Sequence, residues 1–443
     1  MKSDQGKHNR FSSSHSQDAT AGTSAETSWL SKLGPGIVTG AADDDPSGIA
    51  TYSQAGARFG FNMLWTVLLT YPLMVAIQVI SARIGRVSGH GLATNIRRHY
   101  PPWILHVLVL MLVVANIINI AADLAAMGDA VHLLAGGPVR WYAAGFGLVS
   151  LLLQVFIPYH RYVLVLKWLT LALLAYIAVI FSVKIDWVGV GRSVVLPQLS
   201  FERGAVTTVV AVLGTTISPY LFFWQASEEV EHMKSDPAGR PIIKAPAQAR
   251  PELERIQVDT YIGMGFSNLV AFFIILTAAV TLHAHGVGSI ETSAQAAEAL
   301  RPIAGDFAFM LFATGIIGTG LLAVPVLAGS AAYAMAGSFK WASSLEYKPA
   351  LAKEFYGVIA LATLGGVVLD FSPIDPVRAL YWSAVINGVI SAPVMVVTML
   401  LASNHNVMGR FVIKGGLKVA GWLATVMMAL AVLAMGYTAL FPG

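Results

Sequence analysis

Three consecutive carboxylates, Asp43, Asp44 and Asp45, lie at the middle of a membrane-length apolar run, residues 34–57, with Pro46 and Gly48 directly after them. A charge at that depth costs at least ~2.5–3.5 kcal/mol on insertion scales, so carboxylates there mark a functional site. The chemistry open to them is cation binding. Successive helix residues point about 100° apart, so three in a row cannot share one helical face. Pro46 removes a backbone donor and disfavours helix at Asp45, and Gly48 eases a non-helical turn. The pattern predicts a broken helix whose unwound backbone aims a carboxylate and free carbonyls at one point. Such backbone is tolerated at membrane depth only where it lines a cavity.

A second apolar run, residues 212–226, carries Ser218-Pro219 at its centre. With Asp45 as one ligand and Asp44 as a candidate beside it, Ser218 offers a hydroxyl or its own carbonyl. Thr39, Thr51, Thr215 and Thr216 could add hydroxyls. Oxygen ligands suit Mg²⁺, Mn²⁺ or Ca²⁺. Neither break contains Met or His and the chain has no cysteine, so a soft-metal site is not expected. Each assignment has a plainer counterpart. Asp43 and Asp44 could line a water-filled vestibule, bonded to backbone amides. Ser218 could bond its own backbone.

Asp123 is a further intramembrane carboxylate, either an ion or proton relay or one half of a structural pair. Asn387 offers ligation or interhelical packing. Glu228 and Glu229 lie about ten residues beyond Pro219, ~15 Å at the helical rise. That places them at the cytoplasmic mouth, as a solvated helix end or as an acidic vestibule that concentrates cations. His283 and His285 lack metal-site spacing and read as surface, and Ser330 and Tyr333 as packing residues. Gly34, Gly36, Gly40 and Gly214 are hinge or close-packing positions.

The elements that must hold these residues are membrane helices. The chain has 443 residues, mean hydropathy +0.66, 56% hydrophobic and 12% charged residues. Soluble proteins carry about 25% charged residues, so this composition indicates an all-α polytopic membrane protein. Residues 1–30 read as a disordered cytoplasmic tail without the apolar core of a signal peptide. Eleven spans of roughly 20 residues follow: 34–57, 62–82, 103–133, 141–157, 162–183, 204–226, 260–283, 306–336, 354–370, 379–402 and 415–440. Loop 227–259 reads as a polar cytoplasmic connector, and Glu291 to Glu298 as a short amphipathic helix. With the N-terminus in the cytoplasm and the C-terminus outside, 21 of the 28 Lys and Arg fall inside, as the positive-inside rule requires. The first and sixth spans are both interrupted, five apart and opposite in direction. That is the mark of an inverted five-plus-five repeat with its substrate at the midplane. The transporter domain is then 31–443: repeat one about 34–183, repeat two about 204–402, and an extra helix 415–440.

The run Asp45-Pro46-Ser47-Gly48-Ile49-Ala50-Thr51-Tyr52-Ser53-Gln54-Ala55-Gly56-Ala57 resembles the first-helix pattern of the Nramp family of divalent metal transporters, Asp-Pro-Gly-Asn-Phe-Ala-Thr-x-x-Gln-Ala-Gly-Ala. Ala121 to Ala125 matches its third-helix pattern Ala-x-Asp-Leu-Ala. Thr216 to Leu221 matches the sixth-helix pattern in part. The resemblance implies a leucine-transporter-like fold, with Asp45 as the metal carboxylate and Asp123 as the third-helix carboxylate. It also implies departures. The family's metal-binding Asn falls at Gly48, its metal-binding Met at Ser218, its sixth-helix His at Tyr220 and its proton-linked Glu at Ala126. A thioether favours transition ions over Mg²⁺ and Ca²⁺. Its loss, with the loss of the Asn, suits a hard cation that keeps several waters, as Mg²⁺ does. The expectation is a divalent cation transporter of a bacterial inner membrane or a plasma membrane, weakly coupled to protons or uncoupled, with the metal as substrate and no cofactor.

The alternatives are a proton-coupled Mn²⁺/Fe²⁺ transporter, a sodium-coupled small-solute carrier on the same fold, and a membrane sensor. Three adjacent Asp argue against an anionic solute. No catalytic constellation accompanies the carboxylates, so an enzyme is not expected, and no nucleic-acid surface is present.

Overall fold

The computed structural model describes residues 35–157, 170–197, 200–372 and 375–441. The expected tail over 1–30 and the start of the fifth expected span, 162–169, lie outside the described residues, as does Gly34. Among the described residues there is no strand.

The first span is broken as expected. Helix α1 (Pro35–Asp43) stops at the carboxylates and α2 (Pro46–Phe59) starts at the proline. Proline suits the first helical position, where its missing N–H would have no partner anyway. Gly48 was expected to help the break, but the helix has already resumed there. Next come α3 (Leu64–Ser88), a short α4 (Leu92–His99), α5 (Pro102–Ala135), α6 (Val139–Phe156), α7 (Leu174–Val179) and a surface helix α8 (Trp187–Val195). The second broken helix is α9 (Arg203–Thr216) and α10 (Pro219–Ser235), again restarted by a proline. The remainder is α11 (Ala249–Thr281), the short α12 (Ser293–Glu298), α13 (Ala308–Phe339), α14 (Lys353–Asp370), α15 (Pro376–Ser403) and α16 (Gly415–Leu440).

Eight helical segments among the described residues are long and apolar enough to cross a membrane. One of them, the 43-residue stretch Pro46–Ser88, takes in parts of two expected spans. The expected connector 227–259 is corrected. α10 runs on to Ser235 and α11 begins at Ala249, so most of that stretch is helix and a short loop, 236–248, joins the two.

The packing exchanges partners between the halves. The first broken helix lies along α11, the second helix of the later half. The lower part of the second broken helix, α10, lies along α3, the second helix of the earlier half. The third helices of the two halves, α5 and α13, pack on each other. A two-fold relation between the halves produces this exchange. Contact is close where glycine permits it. A Cβ on Gly40 would collide with the backbone of Gly263, and one on Gly214 with the carbonyl of Ala384. These glycines are close-packing positions.

A candidate cation site between two helix breaks

Asp45 has an extended backbone (φ −68°, ψ 169°), and its Oδ1 accepts from the Ser47 hydroxyl at 2.8 Å and the Gly48 N–H at 2.7 Å. This is an N-cap, and it holds the carboxylate at the start of α2. Its Oδ2 accepts from Asn119 Nδ2 of α5 at 3.0 Å. The same Nδ2 donates to Asp123 Oδ2 at 3.2 Å, and Asn119 Oδ1 accepts from Asn387 Nδ2 of α15 at 3.2 Å. Asn119 therefore joins Asp45, Asp123 and Asn387. The carboxylate pattern of the sequence does not reveal it. Its signal was periodic: Asn116, Asn119 and Asp123 recur at i, i+3 and i+7, one face of an otherwise apolar helix. Asp123 Oδ1 and Asn387 Oδ1 are buried without a hydrogen-bond partner.

Asp43 and Asp44 do not line a vestibule, and side chains rather than backbone amides bond them. Both are buried against α11, where Ser267 Oγ lies 2.7 Å from Asp43 Oδ2 and 3.1 Å from Asp44 Oδ1. The close approach of α1 to α11 at Gly40 leaves no room for a vestibule on that side. One hydroxyl has one proton and can donate to only one of the two. Asp43 Oδ1 and Asp44 Oδ2 are left without partners.

Ser218 follows its plainer reading. Its hydroxyl turns back on the end of α9, 2.8 Å from the carbonyl oxygens of both Gly214 and Thr215, with one proton to donate between them. The two breaks are tied across to each other. Tyr52 OH lies 3.0 Å from Thr216 Oγ1, and Tyr220 OH donates to the Ala42 carbonyl at 3.3 Å. The Ile217 carbonyl accepts from Ser391 at 2.6 Å. Gly48 faces the gap between the breaks: a Cβ there would meet Thr215 Oγ1 at 3.3 Å and the Asp43 carbonyl at 3.4 Å.

Among the described residues, none of Asp43, Asp44, Asp45 and Asp123 forms an ion pair, and no three His, Asp or Glu side chains converge as a ready-made metal cage. Four buried carboxylates without a cationic partner carry a large desolvation cost, which a bound cation offsets.

Glu229 is not a solvated helix end. It is fully buried and pairs with Arg255 of α11, which also holds Glu252 at 3.2 Å. Glu252 in turn holds Arg86 of α3 at 3.1 Å. Glu228, beside it, is half-buried. The same end of α1 is tied down by Gly36 N donating to Asp259 at 2.7 Å and by Thr39 donating to Gln225. The opposite face has hollows instead. One of about 200 Å³ above α2 is lined by Gln54, Arg58, Glu291 and Tyr381, and one of about 680 Å³ between α5, α6, α14 and α15 by Asp129, Arg140, Asp370 and Arg378. His283 and His285 are exposed, and Ser330 and Tyr333 are packing residues that accept from Asn116 and the Leu345 N–H.

A family model described as natural resistance-associated macrophage protein-like matches residues 36–438. The chain is 27% identical over 415 residues to a divalent metal cation transporter MntH of Deinococcus radiodurans, covering 92% of this chain and 89% of that protein. It is 27% identical over 402 residues to the protein of the same name from Klebsiella pneumoniae, covering 89% and 91%. Among solved structures it is similar to a manganese transporter of Eremococcus coleocola bound to an aromatic bis-isothiourea substituted compound, with 17% identity, TM-score 0.72, and 94% and 88% of the two chains covered. It is also similar to Mhp1, a nucleobase-cation-symport-1 family transporter in a closed conformation, with 14% identity, TM-score 0.53, and 93% of each chain covered. These two likenesses show the fold.

Proposed function

Because the chain belongs to the Nramp family, whose model spans nearly all of it, we propose that it carries a divalent metal cation across the membrane, with the metal as cargo. The observation that carries this reading is the group of four buried carboxylates at and beside the first helix break, without an ion-pair partner among the described residues. The relatives named above are transporters, and no catalytic arrangement argues for an enzyme.

Asp45 is the primary ligand. A cation arriving at its Oδ2 displaces the Asn119 N–H, and turning that amide over presents its oxygen instead. Asp123 Oδ1 and Asn387 Oδ1, both without partners, supply further oxygens, and Asp44 a second carboxylate from the break. Gly48 and Ser218 bring no side-chain ligand, so the ion keeps waters there. This donor set is all oxygen and favours hard ions, Mg²⁺ foremost. The MntH relatives are named divalent metal cation transporters and the solved structure a manganese transporter, and Mn²⁺ is an ion that the same oxygens accept.

Proton coupling is weak in this reading. Ala126 cannot take a proton, and the polar side chains that continue from Asp123 toward the more basic side of the membrane on the same face of α5 are Asn119 and Asn116, which do not titrate. Movement is by alternating access. The tied side around Glu229 opens as the hollowed side closes, with the repeats spanning about 34–183 and 204–402 and the N-terminus in the cytoplasm of a bacterial cell.

Uptake into proteoliposomes with an internal pH dye tests this. Mg²⁺ and Mn²⁺ both enter without acidification, and Asp45→Ala abolishes both. Uptake of Mn²⁺ alone with obligate acidification would refute the substrate and coupling assignments.

A further inference from the structure

A basic rim and an apolar groove meet on the side of the membrane richer in Lys and Arg. The last turn of α4 carries Arg97, Arg98 and His99, and α5 begins three residues later at Pro102. Trp103, Val107 and Met111 of α5 face Pro393, Val396 and Val397 of α15 across a groove of about 350 Å³. Trp103 is 66% exposed and Val107 47%, so the groove lies open among the described residues. From Trp103 to Met111 it runs ~12 Å along the helix. One leaflet of hydrocarbon is about 15 Å deep, half of a ~30 Å core. Apolar surface at this depth meets lipid, so the occupant is a lipid chain.

The rim selects which lipid. Arg98 is exposed, and Arg97 is partly buried with its Nη1 lacking a hydrogen-bond partner. Tyr100, between rim and groove, bonds Asn404 at the end of α15 and so draws the two walls together. The local field is positive. Burial first, and then Arg98, Lys244, Lys234 and Arg97, hold the His90 imidazole below the usual histidine range. Basic pockets between membrane helices on this side recognise anionic phospholipid headgroups.

We infer that the α4–α5–α15 corner is a binding site for an anionic phospholipid, with its phosphate at Arg97 and Arg98 and one acyl chain in the groove from Trp103 to Met111. The lipid braces α15, which carries Asn387, against α5, which carries Asn119.

The test is native mass spectrometry of the purified full chain titrated with tetraoleoyl cardiolipin, against dioleoyl phosphatidylcholine. The wild type is expected to retain cardiolipin at concentrations where phosphatidylcholine washes off. Arg97→Gln with Arg98→Gln is expected to cut retention about tenfold or more. Val107→Trp, which fills the groove from an exposed position and leaves both arginines in place, is expected to do the same while the lipid-free melting temperature stays unchanged. Equal retention by all three proteins, or equal retention of phosphatidylcholine, would overturn the site. Displacement of cardiolipin by glycerol 1-phosphate alone would overturn the role of the groove.

Discussion

Asn119 holds the centre of the site with three hydrogen bonds, two donated to carboxylates and one accepted from another amide. In the proposed site the ion displaces these N–H bonds and gains the amide oxygen when the side chain turns over, and Asn119→Ala removes that oxygen. An interaction with a charged group contributes about 1.5–3 kcal/mol, and every 1.4 kcal/mol is tenfold in an equilibrium constant, so the variant is expected to weaken the apparent affinity for the transported ion by about ten- to a hundredfold. Competition uptake over a range of Mg²⁺ and Mn²⁺ concentrations measures it, and an unchanged half-saturation would remove Asn119 from the ion path. Asp45 and Asp123 were legible in the sequence because a carboxylate in an apolar span is costly and stands out. Asn119 was not, because an amide costs less to bury and its importance comes from partners 74 and 268 residues away. Ser218 illustrates the reverse. A serine before a proline reads equally as a ligand or as a self-bonded cap, and only in the folded chain is the hydroxyl seen turned back onto Gly214 and Thr215.

At the scale of helices, the breaks were legible because Pro46 and Pro219 each follow a polar residue inside an apolar run and suit the first helical position; proline alone does not decide it, since Pro72, Pro325 and Pro393 lie inside α3, α13 and α15. The ends of α10 and α11 were not. Their polar residues, from Glu228 to Arg255, look like loop composition, yet Glu229 and Glu252 pair with Arg255 and the helices continue through them. The Glu229–Arg255 pair joins the second broken helix to the neighbour of the first, so under the proposed alternating access it ties together elements that separate when that side opens. Removing one partner of a buried pair costs about 3–5 kcal/mol because the other charge is stranded. Glu252 still attends Arg255, which puts Glu229→Gln near the lower figure. Its melting temperature should fall by several degrees. The double change Glu229→Gln with Arg255→Gln should recover part of the loss, since no charge is then left unpaired. A double variant as unstable as the sum of the singles would mean that the pair is not the tie.

For the whole molecule, the same asymmetry appears in charge and in shape. On the positive-inside expectation the 236–248 loop is cytoplasmic, and that is the side where Glu229, Arg255, Glu252 and Arg86 lock the helices together. The hollow lined by Asp129 and Asp370 lies at the opposite ends of α5 and α14. With Arg140 and Arg378 beside those two carboxylates it carries no net acidic charge, so it offers room for water and ions without concentrating cations. Ala125 lies in its wall, on the face of α5 turned away from Asp123. The chain contains no cysteine, so a single introduced thiol reports its own position without a background to remove. In right-side-out vesicles, Ala125→Cys should react with a membrane-impermeant thiol reagent added outside, and Mg²⁺ should slow the reaction if the ion passes there. Ala238→Cys, in the loop between α10 and α11, should react only after permeabilisation. The opposite pattern would invert the topology and make the tied face the entrance. Protection of both positions from outside would mean that the hollow opens to lipid rather than to water, and the ion would then have to enter over α2, past Gln54 and Ile49.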